Sequence, residues 1–256
     1  MASELLKKQA AVVVGSTKGI GEEIARQFAA EGAAVVISGL EEDRGQAVAE
    51  SIAEQGGRAV FQACDVTRPN DCRALCERAE REFGGLDILV NNAGIYPPGD
   101  FAETTPELWD RVFAVNVRGP FLCSQAAVPL MRKRGGGSII NIGSCHPWHI
   151  GEGQFAYGVS KGALLTLTRK LAGLLRSDRI RVNWITVGWV LTENELDMHR
   201  RREGGIEYLE KRRQTLPWGY NTELDIAQAC VYLASEAGLR VTGCELNVSA
   251  GLHIRV

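Results

Sequence analysis

Residues 10–21 read Ala-Ala-Val-Val-Val-Gly-Ser-Thr-Lys-Gly-Ile-Gly, and the fold turns on how this stretch is understood. Residues 10–14 are five apolar positions with β-branched valines, which predicts a short strand buried on both faces. Residues 20–31 follow with Ile20, Ile24, Ala25 and Phe28 at helical spacing, one apolar face of a helix. Between them lie Gly15, Ser16, Thr17, Lys18, Gly19, Ile20 and Gly21. Glycines in such a loop permit a tight turn, let backbone approach a diphosphate, and let helix and strand pack closely. The helix N-terminus adds unpaired N–H groups and a partial positive charge. The pattern is Gly-x-x-x-Gly-x-Gly rather than GxGxxG, and taken alone it also suits an ordinary strand-to-helix turn.

Outward from this unit the same rhythm repeats. Residues 33–38, 58–63, 86–90, 138–142, 181–186 and 245–248 predict further buried strands. Helical segments fall at 42–55 (stopped by Gly56-Gly57), 69–83, 155–176 and 225–234, and Thr105-Pro106-Glu107 opens another with a cap and a first-turn proline. A charged helical stretch is predicted over about 195–213, and Thr67 stands as a candidate cap for the helix at 69. Continuous Val/Ile strands separated by helices imply an α/β fold. The expected architecture is a single-domain, Rossmann-type, doubly wound parallel sheet of about seven strands with helices on both faces. No linker or short repeat divides residues 1–256, which are read as one dinucleotide-binding and catalytic domain with a substrate-lid segment at about 190–220.

Composition narrows the function. The 256 residues carry 29 Lys+Arg against 31 Asp+Glu, a net charge of -2, which offers no broad attraction to nucleic acid or to an acidic membrane. Neither is expected as a partner. No stretch approaches the ~18 apolar residues of a membrane span, and the N-terminus lacks the apolar core of an export signal. Seven cysteines, an odd number without framework spacing, fit reduced thiols and a cytoplasmic location. Cys72 and Cys76 are four apart in a helix, but no second Cys or His pair follows, so packing is expected and no metal.

Tyr157 and Lys161 carry the chemistry. Four residues apart on a long helix, they share a face. An unperturbed tyrosine titrates near ~10; a neighbouring ammonium stabilises its phenolate and makes it a usable proton donor and acceptor at neutral pH. Ser144 lies just past a strand end, where open parallel sheets place their ligands, and its hydroxyl can hold a reacting oxygen.

Together these elements resemble the short-chain dehydrogenase/reductase family. The loop Gly15-x3-Gly19-x-Gly21, the run Asn91-Asn92-Ala93-Gly94, Asn116, Ser144 with Tyr157-x3-Lys161, and Val241-Thr242-Gly243 follow the family's order over nearly the whole chain. The resemblance implies an NAD(P)-dependent oxidoreductase that moves a hydride between nicotinamide and a secondary alcohol or ketone. It implies Asn116, Ser144, Tyr157 and Lys161 as catalytic. Lys161 would also hold the nicotinamide ribose, and Asn116 a water extending the proton path. It assigns the cofactor to the glycine loop, Gly39, Leu40, Asp65, Val66, Asn92, Ala93, Gly94, Tyr157, Lys161, Gly188, Val190 and Thr192. Asp65 reads equally well as a helix-cap residue. A homotetramer is implied, built on helices within 105–134 and 155–176. The family's usual Pro-Gly is Val187-Gly188 here, which loosens that turn.

The second strand ends Ile37-Ser38-Gly39-Leu40, without the acid that reads a ribose 2′-hydroxyl or the base that pairs a 2′-phosphate. Losing the acid removes a repulsion, so the chain leans towards NADP(H), with Lys18 in support and Glu41 and Glu42 against. For substrate contacts the candidates are His146 and His149, in the loop between Ser144 and Tyr157, and Trp189, with Trp148 and Trp218 as further flat walls. Residues 193–220 hold six basic and six acidic residues, the pattern of a solvated lid rather than an anion trap. A sugar, polyol or similar small hydroxy compound is favoured. The alternatives are a 3-oxoacyl-(acyl-carrier-protein) reductase and a catalytically silent dinucleotide-binding regulator.

Overall fold

Alternation within apolar strands decides which helix covers which face. In the computed structural model, which describes residues 4–148 and 153–252, the strands are β1 (Ala10–Val14), β2 (Ala34–Gly39), β3 (Arg58–Ala63), β4 (Ile88–Asn91), β5 (Gly137–Ile142), β6 (Ile180–Val187) and β7 (Glu245–Val248). The helices are α1 (Gly19–Ala30), α2 (Glu42–Glu54), α3 (Pro69–Phe83), α4 (Pro106–Phe113), α5 (Gly119–Arg134), α6 (Phe155–Leu175), α7 (Glu193–Arg200), α8 (Gly205–Arg213) and α9 (Glu223–Ala234). Ala11 and Val13 of β1 join Val35, Ile37, Ile88 and Val90 under α1, α2 and α9, meeting Ile24, Phe28, Val48 and Ile226. Their neighbours Val12 and Val14 face the other way with Val36 and Leu89, against Leu75 of α3 and Ala127 and Met131 of α5.

All seven strands pair in parallel, in the order β3-β2-β1-β4-β5-β6-β7. The chain winds outward from β1 to β3, then returns to lay β4 against β1's other edge, Val12 opposite both Val36 and Leu89. That reversal opens a crevice beyond the carboxyl ends of β1 and β4, where ligands bind in open α/β sheets. A buried amide network braces this end. Asn91 Nδ2 donates to Asn141 Oδ1 at 2.8 Å and to Ser124 Oγ, and Asn141 Nδ2 donates to Thr168 Oγ1 at 2.8 Å, linking β4, β5, α5 and α6.

Three local expectations change. The charged stretch over 195–213 is two helices, because Gly204 takes φ +66° and a Cβ at Gly205 would lie 2.1 Å from His199 O. Backbones that close do not admit a side chain, so α7 and α8 fold back on each other. Thr67 does not cap α3; its N–H and hydroxyl donate to Asp65 Oδ1 at 2.9 and 2.7 Å, while Arg68 holds the cap position without a side-chain bond. Between α4 and α5 the backbone widens into a π-turn over Ala114–Arg118. Such bulges re-aim a residue and occur often at functional sites. Here the residue is Asn116.

Candidate active site

A cleft of about 1470 Å³ runs across the carboxyl ends of the strands, from the glycine loop to α7 and α8. At its centre Ser144 follows β5. Its approach is fixed by Gly143, where a Cβ would fall 2.0 Å from the buried indole of Trp184. The Ser144 hydroxyl lies beside the Tyr157 phenol and draws its pKa down. Ser144 Oγ also accepts from His146 N at 3.1 Å and lies 3.0 Å from His146 Nδ1. Edge-on rings flank the phenol, His146 at 5.1 Å and Tyr96 at 6.0 Å between centroids.

Lys161, one turn along α6, sits with Nζ 5.6 Å from the centre of the Tyr157 ring. Its ammonium donates to Ile142 O at 2.7 Å. Burial pulls its pKa down to about 8, and burial pushes the Tyr157 phenol above its ordinary value, Ser144 opposing that rise. The lysine therefore lies over the ring face, and at the phenol burial outweighs the lowering by Ser144, so the expected drop in the Tyr157 pKa beside the ammonium does not appear. Gly94 keeps the space above the pair open; a Cβ there would come within 3.4 Å of Asn116 Oδ1 and 3.7 Å of Lys161 Nζ.

Other expected site residues divide by position. Gly15, Thr17, Lys18, Gly19, Ile20, Gly39, Leu40, Asp65, Val66, Asn92, Ala93, Gly94, Gly188, Val190, Thr192, His146 and Trp189 line the cleft. Ser16 is buried behind it, its hydroxyl donating to Val13 O at 2.7 Å and accepting from Ser38 N at 2.9 Å. Asn116 is buried with its side chain committed to protein partners. Oδ1 accepts from Ile95 N at 2.9 Å, and Nδ2 donates to Ile95 O at 2.8 Å and Ser160 Oγ at 3.0 Å. Its amide thus holds the backbone after Gly94 against α6. Asp65 lines the cleft but does not cap α3, whose cap position is Arg68; the two Thr67 hydrogen bonds hold its carboxyl below the usual range. Trp148 and Trp218 lie outside the cleft lining; His149 falls outside the described residues.

Charged residues at the two ends of the cleft also enter. Glu41 accepts from Thr17 Oγ1 at 3.0 Å and Lys18 Nζ at 3.1 Å. Burial raises its carboxyl, and those two hydrogen bonds more than offset the rise, leaving it below its ordinary value. Arg44 of α2 meets Glu193 of α7 at 2.9 Å across the cleft mouth. Tyr96 and Glu195 line the substrate end. Glu195 was hidden in a charge-balanced stretch, where nothing in spacing marks one carboxylate from its neighbours.

A family profile described as enoyl-(acyl carrier protein) reductase matches residues 14–253. An uncharacterised oxidoreductase of Thermotoga maritima is 35% identical over 98% of each chain. Dehydrogenase/reductase SDR family member 4 of Sus scrofa is 35% identical over 98% of this chain and 89% of its own. Among solved structures, a 7α-hydroxysteroid dehydrogenase complexed with NADH and 7-oxo glycochenodeoxycholic acid superposes with a TM-score of 0.91, at 35% identity, over 98% of this chain and 96% of that one.

The chain belongs to the short-chain dehydrogenase/reductase family. It is an oxidoreductase acting on CH–OH or C=O groups with a nicotinamide cofactor.

The residues present fit such a cofactor. Gly15 takes φ +73°, and a Cβ there would lie 2.8 Å from Ala93 Cα; at Gly21 it would lie 2.1 Å from Gly15 O. Asn92 Nδ2 donates to Gly15 O at 2.6 Å and so pins the loop. Lys18, the N-cap of α1, makes no side-chain cap, which leaves the first-turn N–H groups of a twelve-residue helix facing the cleft end where a diphosphate is expected. The turn at Gly188 is tight. A Cβ would lie 2.6 Å from Ser249 Cα, so valine in place of proline at 187 leaves the close approach intact.

Proposed function

We propose that the protein is an NAD(H)-dependent dehydrogenase/reductase of a small polar secondary alcohol and its ketone, with a sugar, a polyol or a similar hydroxy compound as substrate. The supporting observation is the convergence of Ser144, Tyr157 and Lys161, the ammonium lying over the phenol ring, in a cleft whose other end is the glycine loop. When bound, the nicotinamide supplies the hydride donor or acceptor. Tyr157 gives its proton to the carbonyl oxygen during reduction and takes it from the alcohol during oxidation. Ser144 holds that oxygen by its hydroxyl. Lys161 holds positive charge against the phenol, and with a pKa of about 8 most of it remains charged at neutral pH. Asn116 is a positioning residue that fixes Ile95 at the cleft wall.

Glu41 reverses the NADP(H) preference expected from Gly39 and Leu40. Its carboxylate lines the adenosine end of the cleft, accepts the Lys18 ammonium, and faces the position where a ribose 2′-group is read. A 2′-phosphate would meet an acid and find Lys18 already neutralised; a 2′-hydroxyl would find an acceptor. The 7α-hydroxysteroid dehydrogenase neighbour holds NADH. Fluorescence titration with NADH and NADPH, then an alcohol and ketone panel with the tighter cofactor, tests both statements. Tighter NADPH binding overturns the first. Dinucleotide binding without turnover of any panel member overturns the second and restores the regulator alternative.

A further inference from the structure

The substrate end of the cleft contains a cluster of rings around one acid. Trp189 Nε1 donates to Glu195 Oε1 at 2.8 Å, and His199 Nε2 lies 3.4 Å from the same oxygen. The His199 ring stacks on Tyr208, 9° from parallel, and Trp189 leans on both. Trp189, Glu195, His199 and Tyr208 all line the cleft. This wall continues to the reacting end. Tyr96 packs edge-on to Tyr157, Thr192 lines the cleft with it, and Thr192 Oγ1 accepts from Glu195 N at 3.3 Å.

The cluster is rich in acceptors. Both contacts to the Glu195 carboxylate fall on Oε1, and among the described residues no hydrogen bond reaches Oε2. With Nε2–H directed at the carboxylate, His199 Nδ1 is an acceptor too, and it is buried with no hydrogen-bond partner. A buried polar atom left unpaired costs about 1–3 kcal/mol, which asks for an explanation outside stability. Arg202, Glu203 and Arg212 lie further along the same lining, and none forms an ion pair with Glu195 among the described residues. An incoming group therefore meets a carboxylate set in aromatic walls, with no Lys or Arg paired to it among the described residues.

We propose that Glu195 is a specificity residue. It accepts a hydrogen bond from a hydroxyl at the far end of a ring-bearing hydroxy substrate lying along Trp189, and it excludes compounds whose far end is a carboxylate. This rests on the oxidoreductase reading above and adds to it the chemistry at the end remote from the hydride.

Three alcohols matched in shape test it with NAD⁺: 4-(hydroxymethyl)cyclohexanol, 4-methylcyclohexanol and 4-hydroxycyclohexanecarboxylate, each also in a fused two-ring version so that reach does not decide the answer. The diol should exceed the carboxylate by about tenfold or more in kcat/KM, since a site built around a buried acceptor rejects its mismatch strongly. Glu195→Gln keeps an acceptor for Trp189 and removes the charge. It should shrink that ratio about tenfold, chiefly by lowering KM for the carboxylate, with the methyl compound within about twofold. A wild-type ratio near one overturns the proposal while leaving the oxidoreductase intact, as does a variant in which all three substrates fall together. If none of the six alcohols is turned over by the wild type, the substrate reading itself falls.

Discussion

Tyr157 and Lys161 are both driven towards their neutral forms by burial, and this has a measurable signature in the apo protein. Lys161 holds its proton below about 8 in the native state, against an ordinary value of 10.5 when exposed. Between those pH values the unfolded chain binds a proton the native chain lacks, so this group's contribution makes stability rise with pH across that window. Two and a half units correspond to about 3 kcal/mol. The phenol acts in the opposite sense above pH ~10, where the native protein keeps a proton that the unfolded chain releases. Urea unfolding of wild type and Lys161→Met at pH 7 to 10 should show the gap between them shift by about 3 kcal/mol in favour of the wild type as pH rises. A constant gap means that the ammonium is not desolvated as described. In turnover, Tyr157→Phe should lower kcat by about 10²–10⁴-fold with dinucleotide affinity within a few-fold, measured by steady-state assay and fluorescence titration. The residue types and their spacing made this pair legible in the sequence. What spacing cannot convey is that Lys161 hydrogen-bonds a strand carbonyl, and that Ser144 is the group drawing the phenol's pKa down.

Elements were legible where apolar periodicity and glycine coincide, and less so where packing decides. The strand at 10–14 and the helix after it follow from sequence alone, because each residue there is required by the turn between them. The boundary between α7 and α8 does not, since the charges run on across it and only the approach of Gly205 to His199 O forces the reversal. Gly205→Ala should therefore unsettle α7, which carries Glu195 and His199, without harming the dinucleotide end. Its expected reading is a several-fold higher KM for substrate and an unchanged NADH affinity, by the same two assays. The reverse pattern is expected at the loop. Gly21→Ala places a methyl 2.1 Å from Gly15 O, and since the obstacle is backbone, NADH affinity should fall by more than about tenfold. Equal losses in both variants would mean that the two ends of the cleft are one mechanical unit. The π-turn at Ala114–Arg118 was equally hidden, since its sequence reads as continuous helix; yet it is what turns Asn116 inward to Ile95.

At the scale of the whole molecule, the doubly wound sheet is the direct result of strands apolar on both faces, and among the described residues no helix is long and apolar enough to cross a membrane. The outer surface adds one demand of its own. Phe121 of α5 and Val159 and Leu174 of α6 are exposed, at 43%, 41% and 71%. Beside them Phe113, Val117, Phe121 and Leu167 line a shallow groove between α4 and α6. The resemblance places tetramer contacts on these helices, and exposed apolar groups are what such contacts would cover. Exposed side chains contribute little to the stability of a single subunit, so Phe121→Asp with Val159→Asp should change an isolated monomer by about 1 kcal/mol at most. In an assembly the same charges would be driven into an apolar contact and break it. Light scattering should then give four subunits for the wild type and fewer for the variant, with a melting temperature that falls on dilution for the wild type alone. A wild type that already runs as one subunit removes the tetramer and leaves this face without a partner of its own kind.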